Sequence, residues 1–174
     1  MKEISGAIFD GTGKYRYDLW RIWDHKKLSI CWILLNPTNA DEIQLDPISN
    51  KCKYYTEYWG YGGFHIVNAF GLITKSPKAL MKSRDPVGRA NDYHIFKESV
   101  LVDKIIVGWG NYILKIPDRL EELDDKLYLN RLWFLKLTNL NQPASPLGLR
   151  KDVHCRILKE PKQSLLEVCK YVTR

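Results

Sequence analysis

A mainly apolar run, Leu28 to Leu35, stops abruptly on Asn36-Pro37. An apolar run of that length, closed by turn residues, reads as a strand buried on both faces. Three further runs have the same character: Phe64 to Phe70, Lys104 to Gly110 and Leu132 to Leu137. Segments with helical spacing separate them. Pro47 opens a helix to about Trp59, with Asp46 as its cap. Ser76-Pro77 caps a short helix over Lys78 to Lys82, Asn91 to Leu101 forms another, and Asp118 to Asn130 is charged and amphipathic. A last helix is expected from about Lys162 to Tyr171. Ahead of the first buried run, Tyr15 to Trp23 alternates aromatic or apolar residues with polar ones, which predicts a strand with one wet face, antiparallel at the sheet edge.

Strands alternating with helices predict an α/β fold of three layers, α/β/α. Its core is a mainly parallel four-stranded sheet with an antiparallel edge strand. No repeat, low-complexity tract or linker interrupts the pattern, so a single domain over residues 1–174 is expected.

In such sheets ligands bind at the carboxyl ends of the strands, so the four strand ends are compared. They carry Leu35-Asn36-Pro37, Val67-Asn68-Ala69-Phe70, Gly108-Trp109-Gly110 and, after the fourth, Asn141-Gln142-Pro143-Ala144-Ser145-Pro146-Leu147. The rim thus collects Asn36, Asn68, Asn141, Gln142 and Ser145, with Pro37 fixing the first turn. Phe70 and Trp109 are aromatics able to stack on a ring. Asn36, Asn68 and the Asn141–Ser145 loop are expected to converge on one cleft. Amides carry both donors and acceptors and suit the edge of a nucleobase; they suit proton abstraction poorly. Asn-Pro is also ordinary strand-ending turn chemistry. The Gly60-Tyr61-Gly62-Gly63 run precedes a strand rather than opening a helix, so a helix-to-strand turn describes it better than a phosphate cradle. No Ser-His-Asp order and no Walker-type loop is visible.

Charge adds a partner class. The net charge is +7 and the isoelectric point is near 9.2, which suits a polyanion, nucleic acid foremost, although basic composition also serves solubility. Lys75 and Arg84 follow the second buried strand, and Arg150 and Lys151 follow the fourth. These four are the candidate contacts to a nucleic-acid backbone. Cys31, Cys52, Cys155 and Cys169 form no C-x-x-C pair and no metal-like spacing with histidine, so free thiols, no metal and no cofactor are expected. His65 reads as a structural strand residue and His94 as a helix-surface residue. No run is long enough to span a bilayer, and the first residues lack the apolar core of a signal peptide; a cytoplasmic protein is the expectation.

The ordered set Leu35-Asn36-Pro37, Asp46-Pro47, Trp59-Gly60-Tyr61-Gly62-Gly63, Val67-Asn68-Ala69-Phe70 and Asp85-Pro86-Val87-Gly88 resembles a family of small bacterial and phage proteins known as a domain of unknown function. More distantly, the chain is similar to the uracil-DNA glycosylase superfamily. That resemblance implies a parallel sheet between helices, with Leu35-Asn36-Pro37 as the turn whose polar residue holds a hydrolytic water. It implies Asn68 as reader of the base edge. It also implies Gln142 to Leu147 as the loop that pinches the backbone and pushes a side chain into the helix stack. The histidine that such a loop carries is absent; Asn141 or Gln142 stands nearby. The glycine before the first motif's polar residue is also absent, as are the cysteines of the iron–sulfur branch.

The resemblance implies a DNA glycosylase that flips a damaged or modified base and cleaves its N-glycosidic bond through an oxocarbenium-like state. Asn36 would place the water, Asp41 or Asp46 would help activate it, and Asn68, Asn141 and Gln142 would stabilise the departing base. Both aspartates have a plainer reading, and Asp46 is a helix cap before it is a catalytic carboxylate. The alternative is a non-catalytic binder that uses the same pocket for a nucleobase, nucleotide or nucleic acid, which loss of the histidine favours. A third reading is an interaction protein, phage-encoded, with a vestigial pocket.

Overall fold

The computed structural model describes residues 3–169. One seven-stranded sheet runs through it in the order β1-β2-β4-β3-β5-β6-β7. The strands are β1 (Ile4–Phe9), β2 (Arg16–Ile22), β3 (Ser29–Leu34), β4 (Gly63–Asn68), β5 (Lys104–Gly108), β6 (Leu132–Phe134) and β7 (Arg156–Lys159). The central four, β4-β3-β5-β6, are all parallel, as the apolar runs predict. The helices are α1 (Pro47–Tyr58), α2 (Pro77–Lys82), α3 (Asn91–Leu101), α4 (Pro117–Lys126) and α5 (Leu165–Val168).

Strand alternation divides the core in two. Leu19, Ile30, Trp32, Leu34, Phe64 and Ile66 face α1, where they meet Cys52 and Tyr55. Cys31, Ile33, Val67, Ile105 and Val107 face the other way, against apolar residues of α2 to α5 such as Leu80, Ile95, Leu120 and Leu165. Trp32 is fully buried, donates from Nε1 to Thr56 Oγ1 at 3.2 Å and stacks on Trp59 with ring centroids 5.9 Å apart.

Several expectations are corrected. β2 is not the edge strand: it pairs with β1 on one side and β4 on the other. Nor does it have a wet face, because α3 covers one side and α1 with the loop after β3 covers the other; Arg16, Asp18 and Arg21 are all buried. β1 and β7, antiparallel and half-exposed, are the true edges and were not expected. The fourth buried strand stops at Phe134, because residues past it fold back on the later loop through Thr138 N to Gln142 O (2.8 Å) and Ala144 N to Lys136 O (2.8 Å). α4 ends four residues early, and the Tyr128 carbonyl instead accepts from Lys162 N and Lys159 Nζ. The last helix cannot start at Lys162, whose φ of 64° is left-handed; it begins at Leu165, where Asp124 accepts from the Leu165 N–H. Lys170 and Tyr171, placed in that helix by the sequence, lie outside the described residues. His94 is buried, not on the helix surface, and its ring stacks on Tyr17.

Candidate functional site

The connection after β3 runs to α1 on one face, whereas those after β4 and β5 run to α3 and α4 on the other. The carboxyl end of β3 is therefore a topological switch point, the place where such sheets open a crevice. Asn36-Pro37 sits directly beyond it.

The rim is knit across three strands. Leu34 is the register partner of Asn68 on one side and of Gly108 on the other. Past the strand ends the pairing continues, with Ala69 N donating to Leu34 O at 2.8 Å and Phe70 N to Leu35 O at 2.9 Å. Asn36 extends it with its side chain: Nδ2 donates to Thr74 O at 2.7 Å and to Pro37 O at 2.9 Å. On the other side, a Cβ on Gly108 would stand 3.2 Å from both Ala144 O and Pro146 Cδ, so the bare backbone there lets the Ala144–Pro146 loop cross the end of β5. Ser145 Oγ then accepts from Leu147 N at 3.4 Å and starts a 3-10 turn.

These loops enclose a cleft of about 560 Å³. Thr38 and Asn39 enter it from the loop after β3, Asp46 and Ile48 from the start of α1, Lys75 from the segment after β4, and Leu147 from the 3-10 turn. Leu147 is 53 % exposed. The loop after β3 is held from below by two buried arginines of β2: Arg16 Nη1 donates to Ala40 O and Arg21 Nη2 to Asp41 O, each at 2.6 Å. Burial pushes the Arg16 guanidinium down to about 10, against the opposing charges of Asp46 and Asp18.

Asn68 lies at this end of the sheet, on the α1 side by its alternation with Phe64 and Ile66. It is 1 % exposed, and neither atom of its amide has a partner. Ser49 Oγ, in the first turn of α1, and Arg16 Nε are likewise buried and unpartnered. Buried polar atoms are almost always satisfied by protein or ordered water, so this end of the sheet holds hydrogen-bonding capacity that the protein itself leaves unused.

The expected convergence of Asn36, Asn68 and the Asn141–Ser145 loop on one cleft is not what lines this one: none of Asn36, Asn68, Asn141, Gln142 or Ser145 is among its lining residues. The remaining candidates have other surroundings. Asp46 caps α1, accepting from Ser49 N at 2.8 Å with one oxygen and from the Thr38 hydroxyl with the other. Asp41 accepts from Gln44 N at 2.7 Å and Ile43 N at 2.8 Å, and these donors hold its carboxyl below the usual carboxylate range. Phe70 and Trp109 are core residues beneath α2 to α5. Gln142 is fully buried, accepting from Trp109 Nε1 at 3.3 Å and donating to Cys169 O at 3.2 Å. Asn141 is exposed in a left-handed turn with φ 55°. Lys75 is on the cleft, whereas Arg84 is exposed between α2 and α3. Arg150 and Lys151 run along α1: the Arg150 carbonyl accepts from the Tyr55 hydroxyl, and Lys151 Nζ lies 5.2 Å from the Tyr54 ring centroid.

Sequence reasoning missed Arg16 and Arg21, read as the wet side of an edge strand. It also missed Asn91, whose Nδ2 donates to Asn68 O at 2.9 Å, and Arg119, whose Nε donates to Ala69 O at 2.6 Å. Only Arg16 and Arg21 carried a signal, as polar residues among the aromatic and apolar ones of β2; Arg119 lies in a charged helix and Asn91 at a helix start, where nothing in the sequence marks burial. Among the described residues no helix is long and apolar enough to cross a membrane.

No curated protein and no solved structure matches the chain. One family model, described as "Protein of unknown function (DUF1643)", matches residues 16–147. The matched span opens on β2 and closes on Leu147 at the lip of the cleft, leaving β1 and β7 outside. Because it covers well over half of the sequence, the chain belongs to the DUF1643 family.

Proposed function

We propose that the rim cleft takes up a nucleobase presented by a nucleic-acid strand, as a binding site that leaves the bond between base and sugar intact. The observation that carries this reading is the convergence of Thr38, Asn39, Lys75 and Leu147 from three separate loops on one cleft. Hydroxyl and amide groups match the mixed donors and acceptors of a base edge. Lys75 supplies a cation for a neighbouring phosphate. Leu147, half-exposed at the lip, has the character of an apolar wedge that fills the stack a displaced base leaves. Extracting a base costs a few kcal/mol, least from a single strand, so single-stranded or mismatched sites are the favoured targets. Arg84, Arg150 and Lys151 extend the positive surface. The parallel core and the order of the rim motifs are consistent with an arrangement similar to uracil-DNA glycosylases, with Asn68, buried at the end of β4, as a reserve of unused hydrogen bonds.

Binding is favoured over excision by the carboxylates. Both oxygens of Asp46 are engaged, Asp41 already accepts two backbone N–H groups, and Gln142 is spent inside the core. One observation supports the glycosylase reading: Asn36 donates with Nδ2 only, which leaves Oδ1 to accept from a water. Fluorescence anisotropy with single-stranded and duplex DNA over a salt series tests the first reading. Salt-sensitive binding, weakened by Lys75→Gln and Leu147→Ala, is expected. Absence of any DNA or RNA affinity at low salt would refute it. Duplexes carrying a panel of modified bases, incubated and then cleaved with alkali, should stay intact. Strand breaks lost in Asn36→Ala would move the assignment to excision.

A further inference from the structure

On the opposite face of the sheet, beneath α3, three side chains from three elements meet. Asp18 comes from β2, His65 from β4 and Glu98 from α3. His65 Nδ1 is 3.1 Å from Asp18 Oδ2 and 3.2 Å from Glu98 Oε2, and one donor atom of each residue lies within 4.8 Å of the others. Both carboxylates are nearly inaccessible, with side chains 2 % and 1 % exposed, while His65 keeps 20 %.

The protein satisfies this cluster only in part. A single imidazole nitrogen faces two carboxylates and can give one proton to one of them at a time. Glu98 gains a second partner, Lys97 Nζ at 2.9 Å to Oε1. Asp18 gains none: its Oδ1 is buried without a hydrogen bond. One helical turn before Glu98, on the same face of α3, His94 is also buried, with Nδ1 unpartnered. An unpartnered carboxylate oxygen in a buried set of nitrogen and carboxylate donors, with an unpartnered imidazole nitrogen one turn away, points to an electrophile that the polypeptide does not supply.

We propose that Asp18, His65 and Glu98 form a binding site for one divalent first-row transition-metal ion of the zinc class. The donor set is the imidazole and carboxylate mixture such ions take. The spacing agrees: ligands in cis positions around an ion at about 2.1 Å stand about 3.0 to 3.4 Å apart, which brackets both His65 distances. Two carboxylates balance the ion's charge, Lys97 orients Glu98 from outside, and the exposed edge of His65 is the route of entry. Three protein donors leave a coordination position for water. The bound ion would clamp α3 onto β2 and β4. The sequence conceals this site because residues 18, 65 and 98 lie far apart, and no short Cys or His spacing marks them. The proposal is independent of the nucleobase reading, since the cluster lies across the sheet from the rim cleft.

The test is calorimetric titration of chelator-treated, full-length protein with zinc(II) alone, followed by cobalt(II) absorption. One equivalent is expected to bind with release of protons and a raised melting temperature, and cobalt should give visible ligand-field bands without thiolate charge transfer. Asp18→Asn and Glu98→Gln, nearly isosteric, should each weaken binding by at least about ten-fold, the loss that even an outer-shell partner can cause. His25→Gln and His154→Gln, exposed, should leave it unchanged. No saturable binding by the wild type overturns the proposal. So does a thiolate band, or binding lost with His25 or His154. Should the buried variants fail to fold, the wild-type stoichiometry, proton release and cobalt spectrum still decide.

Discussion

Two polar regions lie on opposite faces of one sheet and leave opposite kinds of work unfinished. At the rim beside α1 the unsatisfied groups are mostly neutral: the amide of Asn68 and the hydroxyl of Ser49, with one nitrogen of Arg16. Beneath α3 the set is ionic, two buried carboxylates around one imidazole, with Asp18 Oδ1 left unpartnered. An unpaired buried amide costs about 1 to 3 kcal/mol, whereas an unpaired buried charge costs several. A neutral site can therefore wait for its ligand within a folded protein. A charged one needs a compensating cation: Lys97 reaches Glu98 from outside, and His65, when protonated, faces both carboxylates. Burial works against the imidazolium, but the hydrogen bond and charge of Asp18, joined by Glu98, outweigh it and raise the His65 pKa above its ordinary value.

The largest effect that sharpens this contrast is His65→Leu in the presence of chelator. It strands Asp18 and leaves Glu98 with Lys97 alone. We expect a loss of about 3–5 kcal/mol in urea unfolding. A loss below about 1 kcal/mol would mean that the cluster is electrostatically idle.

The rim should respond in the opposite way. Asn68→Leu removes an amide that has no protein partner and replaces it with a side chain of similar size, so stability should stay within about 1 kcal/mol of the wild type or rise. Affinity for single-stranded DNA should nevertheless fall. A loss of several kcal/mol would instead show that ordered water ties Asn68 into the fold and that the two regions are alike. A smaller effect is expected at the lip. Lys75→Gln should weaken binding evenly across sequences and reduce the slope of log affinity against log salt by about 1. An unchanged slope would place the phosphate contacts elsewhere.

What could be read in the sequence follows the same division. The four parallel strands were legible because strands buried on both faces are apolar at most positions, and Asp46-Pro47 and Ser76-Pro77 announce helix starts by their own chemistry. β1 and β7 were not legible. Edge strands need neither continuous apolarity nor a special turn, and Ile4-Ser5-Gly6-Ala7 or Arg156-Ile157-Leu158-Lys159 has no periodicity that excludes a loop. The meeting of Asn36 and Asn68 at neighbouring strand ends could be foreseen from topology, since strand ends in a parallel sheet share an edge. Which side chains open into the cleft could not. Burial of Trp109 and Gln142 depends on α4 and α5 packing over them, and both are long-range events. The Asp18–His65–Glu98 cluster was the least legible, because it needs β2 to be an interior strand, and alternation alone placed it at the edge.

The smallest expected effect tests whether the support of the rim is separable from the rim itself. Arg119 is buried and its Nε holds Ala69 O, the residue after Asn68. Its guanidinium is paired in turn with Asp92 at 2.5 Å and with Glu122, and Lys126 reaches Asp92 at 3.0 Å. Partial burial opposes ionisation of Asp92, but the hydrogen bonds and charges of Arg119 and Lys126 prevail and hold its carboxyl below the ordinary 3.8. A carboxylate whose pKa is depressed by folding contributes stability above its unfolded pKa. That contribution is lost as pH falls through the folded value. The urea midpoint of the wild type should therefore decline on acidification past the ordinary aspartate range. Asp92→Asn, which keeps a hydrogen bond to Arg119 but no charge, should show a shallower decline in that window and a slightly lower midpoint at neutral pH. Glu122 still neutralises Arg119, so DNA affinity should not change. An Asp92→Asn protein with intact stability but impaired binding would show that the α3–α4 ion pairs set the geometry at Asn68, and that the rim is not the self-contained neutral site described above.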